Sequence, residues 1–219
     1  MNTVTTPIAS SFAIPHTRRA DLLIALLGSL AIGVLAQVSV PLWPVPVSGQ
    51  TLGVLAVAAT LGARRGSLAV LAYLAQGIAG MPVFAGANAG PAVLAGPTGG
   101  YLLGFLPAAM LVGAWFDRSR TARSGRPVPI TASSAAGGGA PAAHSAALDL
   151  LVTIGALAAA TLVVYAAGTV RLSRFVGWDR VVAVGVAPFL VGDALKIALV
   201  ALASTGIRGA CRHPSRPGG

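Results

Sequence analysis

The chain has no glutamate, one lysine, one cysteine and little charge of any kind: 9% of its 219 residues are charged and 5% are aromatic. Each shortage excludes something. Without glutamate there is neither the zinc-protease signature nor the usual calcium-binding loop. The lone lysine lies in "LKI", so no Gly-Lys-Ser/Thr phosphate cradle exists, and any ATP dependence is expected to come from partner subunits that hydrolyse it. Cys211 has no second cysteine to pair with. His16, His144 and His213 are far apart in polar segments, and no metal site is expected. One Asp and one Lys with no accompanying His or Glu make too thin a set for catalysis, so no enzyme is expected either.

Charge is replaced by oil. Soluble domains carry about 25% charged residues; here 55% of residues are hydrophobic and the mean hydropathy is +0.81, the composition of an integral membrane protein. The net charge of +10 comes from fourteen arginines and one lysine set against five aspartates. Most of the arginines fall between apolar runs, where they act as topology determinants, so a nucleic-acid role is discounted.

A span needs roughly 20 apolar residues to cross a ~30 Å hydrocarbon core. Six candidates fit or approach this length: 22–40, 47–63, 67–80, 99–116, 148–170 and 181–204. Only "GARRG" separates the second from the third, so those two read as a helical hairpin. With six spans, one side collects Arg18, Arg19, Arg64, Arg65, Arg118, Arg120, Arg123, Arg126, Arg208, Arg212 and Arg216, and the other Arg171, Arg174 and Arg180. Short cytoplasmic loops collect positive residues, which predicts both termini in the cytoplasm of a multi-pass protein of a bacterial cytoplasmic membrane. Residues 1–21 read as a disordered N-terminus, 22–204 as the transmembrane domain, 117–147 as a flexible cytoplasmic linker within it, and 205–219 as a disordered basic tail.

Within the last span, "PFLVGDALKIAL" strands Asp193 and Lys196 in an apolar run. A charge at the bilayer centre costs about 2.5–3.5 kcal/mol on insertion scales, so such groups face the bundle interior and pair or serve function. At an i, i+3 spacing the two side chains meet on one helix face. They are either an ion pair clipping this helix to its neighbours or a polar grip for a ligand, with Phe189 as an apolar wall. A clip gains little over well-packed apolar residues, whereas a ligand with matching polar groups changes that balance.

Two further segments stand out. "GMPVFAGANAGPAVLAGPTGGY", 80–101, has too many glycines and prolines for a continuous helix yet is apolar. Irregular backbone at membrane depth survives only inside protein or along a cavity, so it is expected to fold over a pocket, with Asn88, Thr98 and Tyr101 as its polar side chains; a plain outer loop is the alternative. In "VPLWPVPVSGQT", 40–51, three prolines hold the chain extended, Ser48 is placed to cap the next helix and Gln50 is either a pocket residue or an interfacial amide. On the first span Ala25, Ser29 and Gly33 form a small-residue row that packs within the chain or docks a partner.

The stretches "PLWPVPVSGQTLGVL", "GMPVFAG", "GPTGGYLLGF" and "APFLVGDALK", in this order, resemble the BioY family, the biotin-binding S component of energy-coupling-factor (ECF) transporters. The resemblance implies an all-α membrane protein with six transmembrane helices and a Gly/Pro-rich loop over an outward-facing pocket. It further implies capture of biotin, with a transmembrane coupling protein and ABC-type ATPase subunits as partners. Asp193 and Lys196 match the last-helix motif, Asn88 matches in the loop, Gln50 and Tyr101 lie in family motifs, and Ala25, Ser29 and Gly33 resemble the partner-docking surface. Ser48 and Gly49 stand where the family more often has Thr and an apolar residue. An ion- or proton-coupled carrier using Asp193 in a relay is the competing reading.

Overall fold

A computed structural model describes residues 18–124 and 140–210, with side chains described over 18–121 and 147–204. The order is α1 (Arg18–Gln37), β1 (Ser39–Val40), β2 (Val47–Ser48), α2 (Gln50–Ile78), α3 (Pro91–Ala95), α4 (Gly99–Ser124), α5 (Ala140–Val176), α6 (Trp178–Gly185) and α7 (Ala187–Ala210). Five stretches are long and apolar enough to cross a membrane, the fifth being α6 and α7 together.

The second of these is the hairpin expected from "GARRG". Gly62 has φ +80° and ψ 179° inside α2, a conformation open to glycine at little cost, and there the helix doubles back. Gln50 and Tyr73, at opposite ends of the element, are consequently hydrogen-bonded at 2.6 Å. Each limb is shorter than a full span. Folding back exposes carbonyls at the end of the first limb and amides at the start of the second, and α4 supplies partners for both. Asp117 Oδ2 accepts from the Ala63 N–H at 2.9 Å, while Arg120 Nη2 donates to the carbonyls of Ala59 and Thr60 at 2.6 and 2.9 Å. A carboxylate thus meets a helix N-terminus and a guanidinium a C-terminus, as the helix dipoles favour. Asp21 of α1 completes this charged end through Arg65 at 2.7 Å and Arg64 at 3.2 Å.

α1 packs against the hairpin, the hairpin against α4, and α4 against α5. The small-residue row faces inward: Ala25, Ser29 and Gly33 are all buried, Ser29 Oγ accepts from Gln76 Nε2 at 3.1 Å and Gly33 faces Val83. Ala25, Ser29 and Gly33 thus pack within the chain. Small side chains bring α1 close to its own hairpin, and Leu23, Leu27 and Leu30 on the opposite face are exposed.

Several boundaries differ from the sequence reading. α1 begins at Arg18, and α4 and α5 run into the expected linker as far as Ser124 and from Ala140, so 117–124 and 140–147 are helical; α7 continues to Ala210. Polar and small residues at a helix end lack apolar periodicity but do not stop the backbone hydrogen-bond ladder. The expectations for 1–17, 125–139 and 211–219, including His16, His213 and Cys211, concern residues outside those described, as does that for the His144 side chain. The span expected at 181–204 is broken at Val186. Pro188 has no N–H to give the Val184 carbonyl, and Phe189 bonds instead to Val186 O at 3.0 Å.

Removing the carboxylate that caps the second limb tests this reading of the hairpin. Asp117→Ala is expected to cost about 1–2 kcal/mol, seen as a lower thermal midpoint of the detergent-purified protein, whereas Ala substitution at exposed Leu30 leaves the midpoint within a degree or two.

Candidate functional site

At the end of the bundle away from the Asp21–Arg65 pair, a cavity of about 480 Å³ lies between the helices and the two irregular segments. That size is ordinary for a small-molecule site. Its lining includes Pro44, Val45 and Pro46 from the β1–β2 connection, Ser48 of β2, Gln50 and Thr51 at the start of α2, and Phe84, Asn88, Val93 and Thr98 from the Gly/Pro-rich segment; the helices add Tyr101, Phe105, Tyr165, Phe189, Asp193 and Lys196. All six residues singled out for substrate binding, Asp193, Lys196, Asn88, Gln50, Tyr101 and Phe189, line this one cavity.

The charge pair is not turned to lipid. Asp193 is 4% exposed, and its Oδ1 accepts from Lys196 Nζ at 2.7 Å and from Thr51 Oγ1 at 3.1 Å. Its Oδ2 accepts from the Tyr165 hydroxyl at 2.6 Å. Lys196 Nζ also donates to the Ser48 carbonyl at 2.7 Å and to Thr51 Oγ1 at 2.8 Å. All three ammonium protons therefore have acceptors, and the Thr51 hydroxyl is polarised, accepting from the lysine and donating to the aspartate. The pair ties α7 to the start of α2 and lines the cavity.

The apolar wall is aromatic. The Tyr101 and Phe189 rings lie 6.1 Å apart and those of Tyr165 and Phe189 6.5 Å apart. The break before α7 leaves the Gly185 carbonyl without its usual helical partner, and the Tyr101 hydroxyl donates to it at 2.7 Å. Gly168 lets the Tyr101 ring lie against α5, since a Cβ there would meet that ring. Gln50 is buried and held, donating to Tyr73 and accepting from Ser48 Oγ at 2.7 Å. Gly49 occupies the cap position, and the Ser48 hydroxyl one residue earlier accepts from the Gln50 backbone N–H at 3.4 Å while donating to Gln50 Oε1.

The irregular segment 79–98 is pinned from below. Gln37, at the end of α1, donates to the carbonyls of Val83 and Phe84, both at 3.3 Å, and accepts from the Ala87 N–H at 3.0 Å. Asn88 Nδ2 donates to Ala85 O at 2.7 Å, closing a tight turn. Phe84 is buried against Tyr73, edge to face at 5.5 Å, in space that a side chain at residue 77 would fill. Arg171 Nη2 hydrogen-bonds Ala95 O beyond the last turn of α3.

Four residues of this arrangement were not among those singled out: Thr51, Tyr165, Gln37 and Arg171. Tyr165 carried a readable signal, because all three tyrosines fall in apolar spans and a buried hydroxyl there needs a partner. Thr51 and Gln37 carried none, since their partners lie 142 and about 50 positions away.

A helical bundle in the membrane with one end closed over a cavity holding a buried carboxylate and a largely buried ammonium, paired with each other, defines a membrane solute-binding protein. Comparison with known proteins narrows this. Residues 7–213 match the BioY family model, and the chain belongs to the BioY family. It is 33% identical over 168 residues to a biotin transporter of Thermotoga maritima, covering 76% of this chain and 83% of that one. The biotin transporter of Rhizobium etli is 32% identical over 174 residues, covering 79% and 83%. A shorter match to a Lactococcus lactis biotin transporter, 45% identical over 97 residues, covers 44% of this chain and 53% of the relative. The fold matches the solved S-component for biotin from an ECF-type ABC transporter with a TM-score of 0.67 at 22% identity, covering 89% of this chain and 95% of that one.

Gln37→Leu keeps the size of the side chain but removes its bonds to the irregular segment. Hydrogen exchange measured by mass spectrometry is expected to speed up over 82–90 with little change in α4 and α5; unchanged protection of 82–90 would count against Gln37 as the pin.

Proposed function

We propose that this chain captures biotin on the outer side of the cytoplasmic membrane, as the substrate-specific component of an ECF-type transporter energised by partner ATPase subunits. One observation carries the reading: the cavity gathers Asp193, Lys196, Asn88, Gln50, Tyr101 and Phe189 from separate parts of the chain, in a protein that matches biotin transporters over three quarters of its length. Biotin presents two ureido N–H donors, one polarised carbonyl, an apolar ring system and a carboxylate tail. Asp193 accepts an N–H, Lys196 donates to the carbonyl once the ligand displaces one of its present acceptors, and the Tyr101–Phe189 wall covers the rings.

Topology supports the direction of capture. Arg64, Arg65 and Arg120 cluster with Asp21 and Asp117 at the end opposite the cavity. Positive residues collect on the cytoplasmic side, so the cavity end faces outward and both termini lie in the cytoplasm. The chain has no phosphate-binding loop, so ATP is hydrolysed by partner ABC-type subunits through a transmembrane coupling protein. Relay chemistry has less support: among the described residues Asp193 has a lysine, a threonine and a tyrosine as partners and no second carboxylate or histidine.

Calorimetry of the detergent-purified protein is expected to show tight binding of biotin, binding of desthiobiotin, which keeps the ureido ring, and none of an unrelated vitamin. Lys196→Ala leaves Asp193 as an unpaired buried charge and is expected to weaken biotin binding by roughly 100-fold or more. Parent-like affinity in that variant, or equal binding of all three compounds, would sink the assignment.

A further inference from the structure

Two counts of hydrogen-bonding capacity single out a residue that the family motifs do not. An ammonium has three protons, and those of Lys196 go to Ser48 O, Thr51 Oγ1 and Asp193 Oδ1, each within 2.8 Å. Lys196 is therefore a clamp first, and the cavity's readily available acceptor is the Asp193 carboxylate. A carboxylate has about four acceptor positions. Lys196 and Thr51 take two on Oδ1, and the Tyr165 hydroxyl takes one on Oδ2. One remains.

Building on the biotin reading, we propose that Tyr165 is a positioning and specificity residue: by filling one seat on Asp193 Oδ2 it leaves a single acceptor seat for a ligand N–H. The hydroxyl is well placed to do this. Tyr165 is buried, lines the cavity and has its ring held against Phe189, so its short bond to Oδ2 fixes how the carboxylate lies as well as how many donors it takes. A hydroxyl has one proton to give; while it is spent on Asp193, Tyr165 meets a ligand only as an acceptor. A neutral ureido ring, offering one N–H toward the carboxylate, suits one open seat. A cationic ring offering several N–H groups to the same carboxylate does not.

Tyr165→Phe keeps the ring and removes only the hydroxyl. Calorimetry is run with biotin and with 2-iminobiotin, in which a guanidinium replaces the urea. Biotin affinity is expected to fall about tenfold, the loss of one hydrogen bond to a charged group, while 2-iminobiotin holds or gains, so the ratio of the two shifts by tenfold or more. An equal fall for both ligands would mean the hydroxyl only supports the fold, and unchanged biotin affinity would mean it does not act at all; either overturns the proposal. Failure of the parent to bind biotin is a different outcome and overturns the biotin reading instead. The same replacement is made in Asp193→Asn, whose neutral amide makes a weaker demand on the hydroxyl, and a parent-like thermal midpoint identifies the variants that are folded. There Tyr165→Phe is expected to change biotin affinity little further, and a second full tenfold loss would show that Tyr165 acts independently of Asp193.

Discussion

The Asp193–Lys196 pair is the constraint around which the cavity end is arranged. Two charges removed from water are costly unless their remaining lone pairs and protons are also met, and a single helix cannot meet them. Thr51 and Ser48 come from the start of the hairpin and Tyr165 from α5, so satisfying the pair draws three parts of the chain together. The cavity is the space left beside them. A ligand that replaces one of these contacts is therefore exchanged for a protein group rather than added to an empty site.

The same rule governs the backbone. In a membrane every peptide N–H and C=O must find a partner inside the protein. Among the described residues the junction at Gly177 is closed by its own backbone N–H to the Ser173 carbonyl, and four other departures from helix are the turn at Gly62, the β1–β2 ribbon, the segment 79–98 and the break at Val186. Each of those four has a polar side chain bonded to it. Asp117 and Arg120 serve the turn, Lys196 takes the Ser48 carbonyl at the end of the ribbon, Gln37 and Asn88 hold the segment, and Tyr101 takes the carbonyl freed at the break. Few polar residues are needed because few peptide groups are left over, which accounts for a chain so poor in charge. Three of these irregular places border the cavity, and the fourth, at the opposite end, carries the arginines.

The residues of the cavity were legible to different degrees. Asp193 and Lys196 announce themselves because charge in an apolar run has to be explained, and the Gly/Pro-rich segment because it is apolar without being helical. The hairpin was legible from the short "GARRG" between its limbs. The row Ala25, Ser29 and Gly33 was legible as a packing surface, but its spacing is the same whether the partner helix belongs to this chain or another, and its contact with the chain's own hairpin is visible only in the structure. Tyr165 and Thr51 were hidden for a related reason: a lone hydroxyl in a helix carries no mark of what stands across from it.

The sequence by itself determined that this is a membrane protein, roughly where it crosses, which end carries positive charge and that a carboxylate and an ammonium lie buried together. Those properties follow from composition, periodicity and spacing along one helix, all of which are local. Only the tertiary structure decided that Lys196 gives protons to Ser48 and Thr51 at the start of the hairpin, that Tyr165 and Thr51 donate to the aspartate, and that α1 turns its small residues inward. Each of those is a contact between residues distant in the chain, set by how helices pack, and no local pattern encodes it.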